Sequence, residues 1–321
     1  MKKNVLVTGG AGFIGSWLVK AYLQKGYNVI VVDNFSTGKI ENIESILGDI
    51  KLFKVDLKDK KGLEEVFKSV KIDFVNHHAG QSSVVVSFKD MCEDANNNII
   101  GSLNLLDLCL KYGVKKMIYA STGGAIYGDV KKNPVNENRI LNAQSPYAIS
   151  KHVFEHYLFM ANKIWGFDYV VLRYGNVYGP YQSFDGESGV VAIFVDRMLK
   201  NEDVFIYGDG EQTRDYIYIK DVVDVNLRIT EYLLGNEVRY NNFLDGVYNV
   251  GTGKEISVNQ IFRYIADILN YTKKPIYKPS RWWEIKRISL DFSKLQNFIS
   301  WEPKFDIKKG IEETIKWFRE R

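Results

Sequence analysis

The sequence predicts an α/β protein built on a Rossmann-type, doubly wound parallel sheet, with a smaller α/β domain appended. Three observations predict this. Apolar runs of strand length alternate with helical-period segments through the first half. A glycine-rich turn joins the first strand to the first helix, and after about residue 176 the alternation gives way to longer loops. A chain of 321 residues, 45% hydrophobic and 26% charged, reads as globular, with one or two domains. The net charge of +4 is spread along the chain. Lys58-Asp59-Lys60-Lys61 and Lys308-Lys309 read as solvated helix starts, so no nucleic-acid partner is implied. Cys92 and Cys109 sit in helical patterns, which suggests a reducing compartment rather than a disulfide framework. No run approaches the ~18 apolar residues that span a bilayer, and the start lacks a signal-peptide pattern. No membrane partner is expected, and the expected location is cytoplasmic.

Val5-Leu6-Val7 is a buried parallel strand by its unbroken apolar character. It runs into Thr8-Gly9-Gly10-Ala11-Gly12-Phe13-Ile14-Gly15, then an apolar-periodic helix through Trp17, Leu18, Ala21 and Tyr22, closed by Gly26. Strand, glycine turn and helix are the setting a dinucleotide pyrophosphate needs. Gly9 permits the turn, Gly12 lets the backbone approach the phosphates, and Gly15 lets the helix pack on the strand. The next strand, 28–32, ends in Asp33, near the interval expected for a ribose-binding acid. A carboxylate there accepts from a 2′-hydroxyl and repels a 2′-phosphate. No arginine precedes Arg139, so NAD is favoured over NADP.

Further strands are predicted at 51–55, 74–76, 116–120 and 169–173, with helices at 60–69, 94–112 and 147–165. Ligands collect at the carboxyl ends of such strands. Those ends carry Asp56, His77-His78-Ala79-Gly80, Ser121-Thr122-Gly123-Gly124 and Tyr174-Gly175-Asn176. In the second half, loops at Tyr178-Gly179-Pro180 and Asp185-Gly186-Glu187-Ser188-Gly189 separate helices at 190–200 and 258–269 and a strand at 205–207.

Tyr147 and Lys151, in SPYAISK, fall four apart on a predicted helix and so share a face. An ammonium beside a phenol favours the phenolate, drawing a group of pKa about 10 towards neutrality and making it a proton-transfer base.

These stretches, together with HHAGQSSV, NIIGSLNLL, LRYGNVYGP, GDGEQTRDYIYIKDVV, YNVGTG and WEPKFDIKKGI, resemble the extended short-chain dehydrogenase/reductases, most closely the UDP-glucose 4-epimerase-like group. The resemblance runs from Val5 to about Trp317. It implies an NAD-binding domain over 1–175 plus about 220–250, and a nucleotide-sugar domain over about 176–219 plus 251–321. It implies a UDP-hexose 4-epimerase, an isomerase passing through a transient 4-keto sugar on bound NAD. The alternatives are another NAD-dependent nucleotide-sugar epimerase or reductase, including a UDP-GlcNAc 4-epimerase, or a non-catalytic binder of the same ligands. The catalytic set it implies is Tyr147 and Lys151 with Thr122 and Ser121. NAD would be held by Gly9, Gly12, Phe13, Ile14, Gly15, Asp33, Asn34, Ser36, Thr37, Gly38, Asp56, Leu57, Ala79, Gln81, Asn98, Tyr147, Lys151 and Tyr174. The UDP-sugar would meet Ser83, Asn176, Val190, Tyr207, Arg214, Arg281 and Glu284. Arg214 and Arg281 are either phosphate ligands or members of surface ion pairs. Many relatives pair subunits through the helices at 94–112 and 147–165, which implies a homodimer.

Some letters depart from the resemblance. Relatives carry Ser or Thr four residues before the tyrosine of the VYG-like turn; here that turn is Ile126-Tyr127-Gly128 and the position is Gly123. Either Thr122 supplies the hydroxyl or a water fills the glycine's space. Gly124-Ala125 lacks the carboxylates that sister dehydratases and decarboxylases use. Arg281-Trp282-Trp283-Glu284 replaces a small turn, and its indoles read equally as base-stacking or packing residues. Ile288 matches the position that gates the sugar's C2 substituent. His152-Val153-Phe154-Glu155-His156 fits an H-x-x-E-H zinc pattern, but Lys151 beside it and the lack of a third ligand argue for no metal.

Overall fold

The computed structural model describes residues 2–184 and 189–320. The loop expected at 185–188 lies outside the described residues. The predicted alternation appears as β1 (Asn4–Thr8), α1 (Phe13–Gln24), β2 (Asn28–Asp33), β3 (Ile50–Lys54), α2 (Lys60–Ser69) and β4 (Phe74–His77). The helix expected over 94–112 is instead α4 (Met91–Ala95) and α5 (Gly101–Lys111), joined by a π turn at Asn96–Ile100 and preceded by α3 (Val84–Lys89). Then come β5 (Lys116–Thr122), α6 (Gly123–Ile126), α7 (Pro146–Trp165) and β6 (Asp168–Tyr174). Beyond these lie β7 (Asn176–Tyr178), α8 (Val190–Leu199), β8 (Phe205–Tyr207), β9 (Thr213–Arg214), β10 (Tyr216–Tyr218) and α9 (Ile219–Gly235). The chain closes with β11 (Val247–Val250), β12 (Ile256–Ser257), α10 (Val258–Leu269), β13 (Ile276–Lys278), α11 (Ser293–Ile299) and α12 (Ile307–Glu320).

The central sheet has seven strands in the order β11-β6-β5-β4-β1-β2-β3. Its β1–β2, β1–β4, β2–β3 and β4–β5 pairings are parallel. Val5, Leu6, Val7 and Val29 to Val32 are all buried, as expected of strands covered on both faces. Register places Thr8 opposite both Val32 and His77, and Asp33 opposite Lys54. The carboxyl ends of the first four strands are therefore level, and the polar residues after them share one edge.

The helices are set by local chemistry. Asp59 caps α2 by accepting from the Gly62 N–H, and Ser145 caps α7 from the Ala148 N–H with Pro146 in the first turn. Gly166, at φ 65°, ends α7 in the left-handed conformation. The helix α9 was not anticipated. Its buried stripe, Ile219, Val222, Val225, Ile229 and Leu233, is interrupted by buried Asn226 and Thr230. Those two are paired: Asn76 Nδ2 donates to Asn226 Oδ1 (3.0 Å) and to Tyr22 Oη (2.8 Å), and Tyr22 Oη meets Thr230 Oγ1 (2.6 Å).

By packing, the chain forms two compact units. The first is residues 1–121, 145–172 and 223–248; the second is 122–144, 173–222 and 249–321. The resemblance implies a first domain over 1–175 that includes 122–144; by packing these residues lie in the second unit. Ile126, Tyr127, Val130 and Val135 build a core with Ile288 and Leu290, contacts between residues some 150 positions apart that no local pattern reveals.

Candidate active site

In the first unit, the glycine turn is dictated by close approach. Gly9 has φ 68°, and a Cβ there would lie 2.8 Å from the Ala79 nitrogen. The turn after β1 thus touches the turn after β4, and Thr8 Oγ1 fastens them by accepting from the Ala79 N–H (3.1 Å) and the His78 N–H (3.2 Å). A Cβ on Gly15 would fall 2.0 Å from the Gly9 carbonyl oxygen. The close packing expected of Gly15 is therefore against the turn itself rather than the strand body. Gly12 occupies the N-cap of α1 without a side-chain cap, so the helix presents bare N–H groups to an anion. Phe13 and Ile14, half-buried, form its first turn.

Asp33 is buried at the end of β2. Its Oδ2 accepts from the Ala11 N–H (2.9 Å) and its Oδ1 from the Phe35 N–H (2.8 Å). Each oxygen retains a lone pair for a ribose. Gly38 crosses directly over it, a Cβ there being 2.9 Å from both carboxylate oxygens. Asn34 Nδ2 donates to Asp56 Oδ2 (2.9 Å) and its Oδ1 accepts from the Ser36 N–H (2.9 Å). Ser36 and Thr37 are exposed in this loop, and Leu57 is buried after Asp56.

A second knot centres on Asp94, which is buried. Its Oδ1 accepts from Gln81 Nε2 (3.0 Å) and Asn98 Nδ2 (3.0 Å), and its Oδ2 from Ser150 Oγ (2.7 Å). Gln81 Nε2 also donates to the Ser83 carbonyl (2.8 Å). The Ser83 hydroxyl accepts from the Val86 N–H as the cap of α3 (3.2 Å). Asn98 Oδ1 is buried and meets no donor among the described residues.

Tyr147 is half-buried in the first turn of α7. One turn on, Lys151 is buried, its Nζ donating to the Ala120 carbonyl (3.1 Å) and lying 4.9 Å from the centre of the Tyr119 ring. Burial pushes the Lys151 ammonium down to about 8, partly opposed by Asp94 and Glu155. His77, between Thr8 Oγ1 (2.7 Å) and Ser102 Oγ (2.9 Å), is pushed well below the usual imidazole range by burial and by Lys151. Ser121 Oγ donates to the buried Glu155 Oε1 (2.5 Å). Of the two candidate helper hydroxyls, Ser121 is thus committed, whereas the Thr122 side chain makes no hydrogen bond among the described residues.

In the second unit, the space at Gly123 is taken. A Cβ there would lie 2.5 and 2.9 Å from the two Leu290 methyls and 3.1 Å from the Arg173 carbonyl. Leu290, not a water, fills the room beside this glycine. Ile288 lies in the same buried core. Tyr174 is buried at the end of β6, Asn176 is exposed, and Val190 opens α8. Arg214 and Glu284 pair at 3.4 Å, and Arg281 lies 3.8 Å from the centre of the Tyr207 ring and 5.3 Å from that of Trp283. Four of the predicted substrate residues thus form two contacts, while Trp282 is 86% exposed. Asp215, unforeseen, is buried and accepts from the N–H groups of Thr252, Gly253 and Leu290 and from Thr252 Oγ1 at 2.7–3.0 Å. Its carbonyl receives the Asn176 N–H (2.7 Å).

Residues 5–251 match the family model described as the NAD dependent epimerase/dehydratase family. The chain belongs to this family. A curated UDP-glucose 4-epimerase of Mycolicibacterium smegmatis is 35% identical, with 99% of each chain covered. A crystal structure of UDP-glucose 4-epimerase from Thermotoga maritima with UDP-glucose is 45% identical, with a TM-score of 0.92 and 99% of each chain covered. That of the Thermus thermophilus enzyme in complex with NAD is 42% identical, with a TM-score of 0.89, covering 98% of this chain and 99% of that one.

The residues present fit the cofactor of the epimerase/dehydratase family. The glycine turn leaves no room for side chains, Asp33 is pinned with its oxygens available, and Asn98 Oδ1 is a buried acceptor awaiting a donor. Gly80 also belongs to this region, since a Cβ there would meet Asn98 Oδ1 at 2.6 Å and Lys151 Nζ at 3.2 Å. Among the described residues, no group of three or more His, Cys, Asp or Glu side chains could hold a metal ion. In the zinc-like stretch, Glu155 is turned inward to Ser121 while His156 is exposed.

Proposed function

We propose that this epimerase/dehydratase family member interconverts UDP-glucose and UDP-galactose by inverting C4 through a transient 4-keto sugar, with Tyr147, Lys151 and Thr122 as its catalytic residues. One observation carries the reading: a half-buried tyrosine stands one helical turn before a buried lysine, and the turn that would carry a dehydratase's or decarboxylase's carboxylate is Gly123-Gly124-Ala125. Bound NAD supplies the hydride acceptor and donor for C4. Gly9, Gly12, Gly15, Asp33, Ala79 and Asn98 would hold it. Tyr147 takes the proton of the 4-hydroxyl and later returns it. Lys151, held against the Ala120 carbonyl, favours the phenolate by its charge. Thr122 supplies the hydroxyl for which Gly123 has no atoms. Arg214 and Arg281 neutralise the diphosphate, with Glu284 yielding its place on Arg214.

The subunit pairing that the resemblance implies extends the proposal to a homodimer. Support comes from exposed Val86, Met91, Ile100 and Ile149 on α3, α4, the π turn and α7. No helix among the described residues is long and apolar enough to cross a membrane, and we propose a cytoplasmic location. Incubation with UDP-glucose, following UDP-galactose, tests the activity. Tight UDP-glucose binding without conversion overturns it.

A further inference from the structure

One buried carboxylate that the mechanism does not use lies on the same helix as Tyr147 and Lys151. Glu155 is fully buried, eight residues after Tyr147 and four after Lys151, on the same face of α7. It is the inner end of a hydrogen-bonded chain. Ser121 Oγ donates to its Oε1 at 2.5 Å, His152 Nδ1 meets its Oε2 at 3.3 Å, and His152 Nε2 meets His156 Nε2 at 3.1 Å. His152 is half-buried and His156 is exposed, its ring stacked on Phe243 with centroids 4.2 Å apart. The chain therefore runs from solvent to the residue that precedes Thr122.

We propose that Glu155 is a positioning residue for the Tyr147–Lys151 pair, with His152 and His156 linking its charge to solvent; this rests on the epimerase reading above. Two physical effects follow. The first is geometric: α7 grips the end of β5 at successive residues, Lys151 on the Ala120 carbonyl and Glu155 on the Ser121 hydroxyl. That double grip fixes the direction in which the chain leaves towards Thr122. The second is electrostatic. Glu155 is faced by Tyr119 and Ser121 from β5, Tyr169 from β6, and Lys151 and His152 on its own helix. Lys151 is the buried cation among these, and it is also faced by Asp94, His77 and His78. Asp94 first, and a carboxylate at 155 after it, oppose the burial that would neutralise that lysine.

Glu155→Gln keeps the shape and removes the charge. The alkaline limb of the kcat–pH profile should move down by about one pH unit, with KM for UDP-glucose unchanged. His152→Ala, at a half-buried position, should move it in the same direction by less. An NMR titration of labelled lysine, with Lys151 assigned by its loss in Lys151→Arg, should show the same downward shift. Uniformly reduced kcat with unmoved pH profiles and an unmoved Lys151 titration would overturn the proposal. Wild-type protein that fails to interconvert the UDP-hexoses refutes the epimerase reading instead, and the lysine titration still decides the role of Glu155.

Discussion

Gly123→Ser supplies the hydroxyl that the family resemblance leads one to expect at this position, and the structure predicts that it harms this protein. The new Cβ would sit 2.5 and 2.9 Å from the Leu290 methyls and 3.1 Å from the Arg173 carbonyl. Contact between carbons is comfortable only from about 3.5 Å, so Leu290 must move by roughly 1 Å. It has nowhere to go, being fully buried among Ile126, Tyr127, Val130, Val135 and Ile288. Overpacking of this kind costs about 1–3 kcal/mol. Leu290→Val trims the opposing side chain and by itself costs on the order of 1 kcal/mol. In the double variant the two losses should partly cancel, with a coupling of about 1 kcal/mol or more. Thermal and urea denaturation of the four proteins, read at the same pH and cofactor load, measure that coupling. A Gly123→Ser protein as stable as wild type, or losses that simply add, would refute the steric argument.

Other outcomes follow from the same geometry. Tyr147→Phe should lower kcat by about 10²–10⁴ while calorimetric binding of UDP-glucose persists; retained activity would sink the mechanism. Thr122→Val should cost on the order of 10²-fold in kcat with KM little changed, as kinetics on UDP-galactose will show. Burial pushes the Lys151 ammonium down to about 8, so kcat should fall as pH rises through that value, not as it falls; a profile flat to pH 10 would contradict this. Asp33→Asn removes the charge that accepts the Ala11 and Phe35 N–H groups. It should weaken NAD by about 10–100-fold and narrow its preference over NADP, measurable from the cofactor that copurifies.

What was legible in the sequence is what depends on neighbours along the chain. The glycine turn, the acid ending β2 and the Tyr147–Lys151 spacing are local patterns, and each element formed where its pattern lay. What escaped depends on residues far apart. Asn226 and Thr230 broke the apolar stripe of α9 because their partners, Asn76 and Tyr22, lie 150 and 208 positions earlier. The departure at Gly123 was visible as a letter, but its cause, Leu290, was not. In the sequence Asp94 marks only the start of the predicted helix at 94–112, and only folding shows it holding Gln81, Asn98 and Ser150 together. Glu155 was first noticed for a zinc-like spacing; its burial and its grip on Ser121 give it a different meaning.

The interleaving of the two units has a consequence for how the molecule is made. The first unit needs residues 223–248, and the second needs 249–321 as well as 122–144. On a ribosome, which releases the chain from its amino terminus, the segment bearing Thr122 and Gly123 emerges early. It must then wait for Ile288 and Leu290 before its apolar side chains are covered. No single cut can separate the two units, and a chain truncated before residue 288 would carry an open core beside Thr122.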